Sequence, residues 1–152
     1  MSYRAQDARR QMLDDIARAV SDLAIALACL GEAYELVDER LADALEEQVF
    51  RPVQGAYGRS RRTLTEFAGR HGIEVEAPSE GSSGVHSTDA RVYLERALEA
   101  VEHADLAIAE LQDSLMPVDV GDRELRDGLT ATRELIGPVP ARTRALERRF
   151  GR

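Results

Sequence analysis

The sequence contains few side chains that could carry out chemistry. Its three histidines are His71, His86 and His103, and no two of them have the three- or four-residue spacing that places imidazoles on one helical face. Glu99 and His103 come nearest to the Glu-x-x-His pairs of a ferritin-like bundle, but they are four residues apart and not three. We therefore expect no enzyme activity, no catalytic residue, no metal ligand and no cofactor, and we keep a metal-binding or ferritin-like four-helix bundle as the second alternative.

The single cysteine and the densest run of acids have structural interpretations. Cys29 lies in the longest apolar run, Leu23 to Leu30, with no histidine or arginine within one helical turn to lower its pKa. The acids that follow are Glu32, Glu35, Asp38, Glu39, Asp43, Glu46 and Glu47. Their spacing places them on the outer face of a helix. We expect Cys29 to be a small buried hydrophobe and the acids to be solvated.

The 20 basic residues are all arginine, and the densest group is Arg59, Arg61 and Arg62. Guanidinium groups donate paired hydrogen bonds to phosphate or carboxylate, which makes these three the candidate anion site. Only Tyr57 and Phe67 are near enough in sequence to stack on bases, so we expect no nucleic-acid partner.

This basic group belongs to a longer pattern. Residues 30–67 read LGEAYELVDERLADALEEQVFRPVQGAYGRSRRTLTEF, in which a long amphipathic stretch precedes a Phe-x-Pro-Val motif and the arginines. The pattern resembles the first long helix, proline kink and basic arm of BAR domains, dimeric crescents that bind curved anionic membranes. The resemblance covers a quarter of the chain. It implies, as an alternative, an anion- or membrane-surface-binding protein in which Arg59, Arg61 and Arg62 match the lipid-facing arm.

The elements that must position these groups are helices. Apolar residues recur at spacings of three and four through the first half, which is the period of a helix packed against other helices. They are Ile16, Val20, Leu23, Leu27, Leu30, Tyr34, Val37, Leu41 and Ala44. Pro52 predicts a kink near residues 50–52, and a kinked helix is predicted through residues 137–140. No alternation typical of strands competes, so the predicted fold class is all-α.

Residues 73–87 are rich in serine, glycine and proline, and they divide the chain. We predict a single domain over residues 1–152, with helical halves at 4–72 and 88–151 joined by an exposed linker at 73–87. Each half is predicted to form a helical hairpin, and the two hairpins an antiparallel bundle of four-helix type. The first hairpin needs a turn around residues 31–38, where only Gly31 is permissive. The alternative keeps residues 5–50 as one helix about 70 Å long, which would have to dimerise to cover its apolar seam.

The two halves share fragments in the same order, which leaves an internal duplication open. Asp22-Leu-Ala-Ile-Ala26 matches Asp105-Leu-Ala-Ile-Ala109. Pro52-Val53 likewise matches Pro138-Val139. Between these fragments, one pattern of aspartate and leucine occurs in both halves: Asp38, Leu41, Asp43 and Leu45 in the first, and Asp122, Leu125, Asp127 and Leu129 in the second. A repeated helical unit that packs on itself would bury a continuous core. Against duplication, Ile108 lies on the apolar stripe of its helix, whereas Ile25 lies off its own.

Charge is unevenly distributed along the chain. The net charge is −8 at pH 7, which argues against a bulk polyanion partner. Residues 22–50 hold eight acids and one base, and residues 102–127 hold eight acids and two bases. In a bundle of two hairpins, we expect these acidic segments at one end and the arginine-rich segments 51–71 and 133–152 at the other. The molecule would then be an electric dipole.

The middle of the first helix is apolar on nearly every side. Such a helix is usually surrounded, either within one chain or across a dimer interface. We therefore predict a homodimer whose interface includes Leu23, Ile25, Leu27 and Leu30. The leading functional hypothesis is a non-enzymatic interaction or scaffold module that works through helix-to-helix contacts, with a further protein partner left open and a membrane partner kept only in the alternative given above.

The amino terminus is polar and charged, unlike a signal peptide. The longest apolar run has eight residues, whereas a bilayer-spanning helix needs about twenty. We expect a cytoplasmic protein, in which an unpaired cysteine stays reduced.

Overall fold

The computed structural model describes residues 2–76, 78 and 80–150. These residues contain helices and irregular segments but no β-strand, which confirms the prediction of an all-α protein. The helices are α1 (Ser2–Leu36), α2 (Glu39–Leu45), α3 (Arg51–Arg70), α4 (Ala90–Asp113), α5 (Met116–Asp119), α6 (Arg123–Ile136) and α7 (Val139–Glu147), and a π-helical turn over Glu46–Phe50 joins α2 to α3. Among the described helices, none combines the length and apolar character needed to cross a membrane.

The first chain reversal lies at Val37 and Asp38, so of the two alternatives for residues 31–38 the structure has the turn and not the continuous helix. The carboxylate of Asp38 accepts a hydrogen bond from the Leu41 N–H at 2.9 Å, which satisfies an amide that has no partner inside α2. Residues 30–67, whose pattern resembles the first long helix, proline kink and basic arm of BAR domains, therefore contain the end of α1, a turn, α2, the π-helical turn and most of α3. A single long helix, as the resemblance implies, is not observed.

Neighbouring long helices run antiparallel. Near the start of α1, Gln6 donates to the carbonyl of His71 at the end of α3, and Arg9 donates to the carbonyl of Val120 just beyond α5, both at 3.0 Å. α1 packs against α3 and most extensively against α4, while α6 packs against α3 and α7 against α4. The start of α1 therefore lies beside the residues that come directly after α3 and directly after α5.

The predicted electric dipole is wrong. Because α1 and α4 are antiparallel, the acidic segment that ends α1 and the acidic segment that ends α4 lie at opposite ends of the molecule. Arginine-rich segments lie beside both of them: Arg142 Nη1 donates to the Gln48 carbonyl at 3.2 Å, and Arg133 Nε bonds Asp105 Oδ1 at 2.9 Å. Acidic and basic segments therefore alternate around the molecule.

The core consists mainly of leucine and alanine side chains. Buried alanines on α1 and α4 allow these helices to approach closely; they are Ala19, Ala26, Ala33, Ala97, Ala100 and Ala104. α3 and α6 also meet closely, because a Cβ atom added to Gly128 would lie 2.9 Å from Thr63 Cγ2. The buried hydroxyls of Thr63, Thr132 and Thr143 donate to carbonyls of their own helices at 2.7 to 2.8 Å. Their hydrogen-bonding capacity is therefore satisfied within the fold.

The segment 73–87 has neither helix nor strand in its described residues, as predicted for a linker. It is not exposed along its whole length, however. Ile73 is buried, and Val75 and Val85 pack against the core. These three apolar side chains hold the segment against the helices.

This segment covers the apolar middle of α1. A Cβ atom added to Gly81 would lie 2.6 Å from the Ile25 nitrogen, so the linker backbone rests directly on the backbone of α1. The Ser83 carbonyl accepts a hydrogen bond from Arg96 Nε of α4 at 3.2 Å and lies 3.9 Å from Cys29 Sγ. The apolar side of α1 that was predicted to face a second copy is therefore covered by the linker of the same chain.

The predicted kink near residues 137–140 is observed as an interruption between α6 and α7. Gly137 and Pro138 keep right-handed helical angles, with φ of −52° and −77°. Pro138 and Pro140 have no N–H to donate to the carbonyls four residues before them, which breaks the helical hydrogen-bond ladder here. Helical backbone angles therefore continue through the interruption, and no loop separates α6 from α7.

We predict that Asp122→Ala destabilises the fold more than Asp38→Ala. Both aspartates cap a helix, but Asp122 also accepts hydrogen bonds from Arg70 Nε at 2.7 Å and Nη2 at 2.9 Å. We expect the free energy of unfolding in urea to fall by about 1 kcal/mol for Asp38→Ala and by about 2 to 3 kcal/mol for Asp122→Ala. Equal losses would show that the Arg70 pair adds no stability.

The pH dependence of this effect follows from the pKa of Asp122. Burial raises that pKa, but the hydrogen bonds from Arg70 and the Leu125 N–H outweigh burial and lower it. A lowered pKa stabilises the folded state at neutral pH, and the stabilisation is lost as the pH falls through the folded-state value. The difference between Asp122→Ala and the parent should therefore shrink in acid.

We predict that Gly81→Ala loosens the linker from α1, because the new methyl group would collide with the α1 backbone. The free energy of unfolding should fall by about 1 to 3 kcal/mol, and the buried Cys29 thiol should react faster with a thiol reagent under native conditions. Gly58→Ala is the control, since a Cβ there meets nothing within 4 Å and alanine favours a helix by up to about 1 kcal/mol. Unchanged Cys29 reactivity in Gly81→Ala would contradict the contact.

Candidate functional site

The four residues predicted as a dimer interface do not share one accessible surface. Leu23 and Leu30 are completely buried inside the chain, whereas Ile25 and Leu27 are partly buried and pack against the core. Leu23 and Leu30 therefore have no surface left to offer a second copy in this fold. The homodimer itself stays a prediction.

Cys29 is buried as predicted, and two of the three histidines are exposed, whereas His71 is partly buried. Cys29 is buried, and burial raises the pKa of its thiol. His86 and His103 are exposed, and the His71 ring lies 4.3 Å from the ring of Phe67 between centroids. Within the described residues, no three or more histidine, cysteine or carboxylate side chains are arranged to hold a metal ion.

The structure separates the three candidate anion-binding arginines. Arg59 and Arg62 line a groove of about 280 Å³ between α3 and α6. Arg61 does not line this groove; its guanidinium carbon lies 6.0 Å from the centroid of the Tyr57 ring. The other charged residues that line the groove are Glu66, Arg70, Glu124 and Asp127. Three arginines thus face three carboxylates, and an anion would have to compete with protein carboxylates for the guanidinium groups.

The sequence did not predict a furrow that lies between α4 and the α6–α7 interruption. It consists of two hollows of about 380 Å³ and 400 Å³ that adjoin at Glu102, and we name it the α4–α7 furrow. Its apolar lining is Leu98, Val101, Leu106, Ala109, Ile136 and Pro140. Leu106 exposes 57% of its surface, the largest fraction in this group. Gly137 also lines the furrow and has no side chain to fill it.

The charged lining of the α4–α7 furrow is predominantly acidic. It comprises Glu95, Glu99, Glu102, Asp105 and Glu147, with Arg133, Arg144 and His103. Arg133 pairs with Asp105 at 2.9 Å, and Arg144 Nη2 lies 3.5 Å from Glu102 Oε1. Five carboxylates therefore accompany two arginines, and the furrow attracts cations.

Glu147 is the unusual member of this set. Its Oε1 atom is buried and accepts no hydrogen bond from any described residue. Burial raises the pKa of Glu147, and the negative charge of Glu95 raises it further. A buried acceptor without a donor is unfavourable, so the charged carboxylate of Glu147 is destabilised in the fold.

Comparisons with known proteins do not assign a family. No protein-family model matches the chain, and neither a curated protein nor a solved structure matches it. Function is therefore inferred from the chemistry of the surfaces.

We predict that Glu147→Gln stabilises the protein at neutral pH. The raised pKa means that the folded state favours the neutral carboxyl group, so the parent loses stability as the pH rises through the folded-state pKa. Glutamine is neutral throughout, and the thermal midpoints of variant and parent should converge below about pH 4 and separate at pH 7. Glu110→Gln, at an exposed position of α4, is the control for the loss of one negative charge.

Proposed function

We propose that this protein is a non-enzymatic interaction module that binds a helix of a partner protein in the α4–α7 furrow. The observation that carries the proposal is the furrow itself, whose exposed apolar lining is accompanied by an excess of carboxylates that includes Glu147. Cationic side chains of the partner would pair with these carboxylates. Binding a helix along a groove by apolar anchors is a common mode of peptide recognition.

The dimensions and chemistry of the furrow define the partner. From Glu95 to Ala109 the furrow follows α4 for about 20 Å, which is about four helical turns. A partner helix with one apolar face would cover Leu98 and Leu106, and arginines or lysines beside that face would meet the carboxylates. The expected partner is therefore a basic amphipathic helix.

A second copy of the chain fits the furrow less well. Two copies that met through α4 would bring their acidic linings together, and like charges across an interface oppose association. The apolar middle of α1, which led to the homodimer prediction, is covered by the segment 73–87. We therefore keep the homodimer as a competing occupant and not as the first choice.

For the architecture, we propose the predicted antiparallel four-helix type, with α1 and α2–α3 as one hairpin and α4 and α6–α7 as the other. The antiparallel contacts of α1 with α3 and of α4 with α7 support this arrangement. An internal duplication has one observation on its side: Asp38 and Asp122 each accept from the N–H three residues later at 2.9 Å. Against it, Leu23 is completely buried, whereas its counterpart Leu106 is exposed.

The proposal predicts binding of a designed basic amphipathic peptide. A helical peptide of about 15 residues, with leucine on one face and arginine elsewhere, should shift amide resonances of α4, α6 and α7 in NMR spectra. Leu106→Arg should weaken its binding by at least about tenfold. Val118→Arg is the matched control, because Val118 is 61% exposed against 57% for Leu106 and lies outside the furrow.

Three outcomes would contradict the proposal. A scrambled peptide of the same composition could bind equally well, which would reduce the effect to nonspecific charge attraction. Leu106→Arg and Val118→Arg could weaken binding equally. Sedimentation of the chain alone could show a dimer that Leu106→Arg dissociates, and a second copy would then be the occupant of the furrow.

A further inference from the structure

A second concave site lies where the end of α1 meets the π-helical turn. It is a cup of about 320 Å³ lined by Gly31, Tyr34, Glu35, Glu46 and Phe50. This volume lies at the small end of the range for ligand pockets, roughly 300 to 1,000 Å³. A Cβ atom added to Gly31 would meet nothing within 4 Å, so the glycine leaves space that another residue would fill.

The π-helical turn brings Glu46 and Phe50 to the cup together. Its wider hydrogen bonding includes the Arg51 N–H donating to the Glu46 carbonyl, five residues back. Pro52 has no N–H for the Gln48 carbonyl, and Arg142 Nη1 donates to that carbonyl instead, at 3.2 Å. The turn is therefore supported from α7, and such turns occur often at functional sites.

Three features make the cup attractive to a cation. Glu35 and Glu46 both line it, and neither forms an ion pair within the part of the chain that the structure describes. The last turn of α1 carries no basic residue, so the negative end of its helix dipole is not offset there. Tyr34 and Phe50 add two aromatic side chains to the lining, and aromatic rings attract cations.

The aromatic rings also select the kind of cation. A small hydrated metal ion gains little from aromatic rings, whereas a guanidinium or alkylammonium group stacks on them while it donates hydrogen bonds to carboxylates. Tyr34 is 39% exposed and Phe50 is partly buried, so ring surface stays accessible at the mouth of the cup. The chemistry therefore fits an organic cation better than an anion or a neutral apolar group.

We infer that this cup is a binding site for an organic cation of the guanidinium class, supplied either by a free small molecule or by an arginine side chain of another protein. The inference is independent of the α4–α7 furrow, because no residue lines both sites.

The test is an NMR titration of the full chain with N-acetyl-arginine amide. The Gly31 amide and the amides of residues 46–50 should shift and saturate, whereas N-acetyl-citrulline amide, which has nearly the same shape and no charge, should leave them unchanged. Glu35→Gln combined with Glu46→Gln should weaken binding at least about tenfold. The matched control is Asp43→Asn combined with Glu47→Gln, since both positions are exposed and neither lines the cup.

A blocking variant separates binding in the cup from general charge attraction. Gly31→Leu should preserve the fold and abolish binding, whereas Gly58→Leu, at a second helical glycine with open space around its Cβ, should preserve binding. Circular dichroism and thermal unfolding verify that both variants fold. A peptide with one arginine between glycines then identifies the source: tighter binding than the amide indicates a protein side chain, and equal binding indicates a free cation.

The inference is overturned by any of three results. Citrulline and arginine amides could shift the same resonances equally, Gly31→Leu could bind the arginine amide as the parent does, or the shifts could spread over all acidic surfaces. Since the furrow variant Leu106→Arg leaves the cup intact, failure of this test and failure of the proposed function can be told apart.

Discussion

The middle of α1 is apolar on nearly every side and needs cover from other parts of the chain, and this constraint organises the molecule. α3 and α4 pack along α1, and the segment 73–87 covers what they leave open. Small side chains make the arrangement possible: alanines allow α4 to approach, and Gly81 allows the linker backbone to rest on α1. α6 and α7 then pack on the outer sides of α3 and α4.

The same arrangement creates the candidate surfaces. Because α4 covers α1 with one face and meets α6 and α7 with another, a furrow follows its remaining side beside the interruption at Gly137 and Pro138. Helix irregularities associated with proline accompany both candidate sites. At the cup, Pro52 follows a π-helical turn, and the carbonyl that proline cannot satisfy is bonded by Arg142.

Local features of the fold were predictable from the sequence because their causes are local. The kink at residues 137–140 and the boundaries of the linker follow from caps, prolines and apolar periodicity, whereas the sequence left a turn and a continuous helix open at residues 31–38. The contact of the linker with α1 at Ile25 was not predictable. A serine- and glycine-rich segment has no apolar periodicity to indicate which helix it packs against. The dipole prediction failed for a related reason: the relative direction of two hairpins depends on side-chain packing between them.

The candidate sites were harder to predict than the fold. Leu106 lies off the apolar stripe of α4, so periodicity alone treats it as an isolated surface leucine. The orphaned oxygen of Glu147 and the space beside Gly31 exist only once distant segments meet. By contrast, Arg59, Arg61 and Arg62 form a clear sequence pattern, yet the structure places carboxylates from α6 opposite two of them.

The cover that the linker and α4 provide for α1 also bears on cooperativity and ancestry. The first half of the chain cannot bury the middle of α1 by itself, so α1 depends on residues far along the chain and the halves should unfold as one unit. If the halves descend from one hairpin, that ancestor would have needed a second copy to cover the same surface. The contact between two copies of that ancestor would then correspond to the present contact between α1 and α4 within one chain.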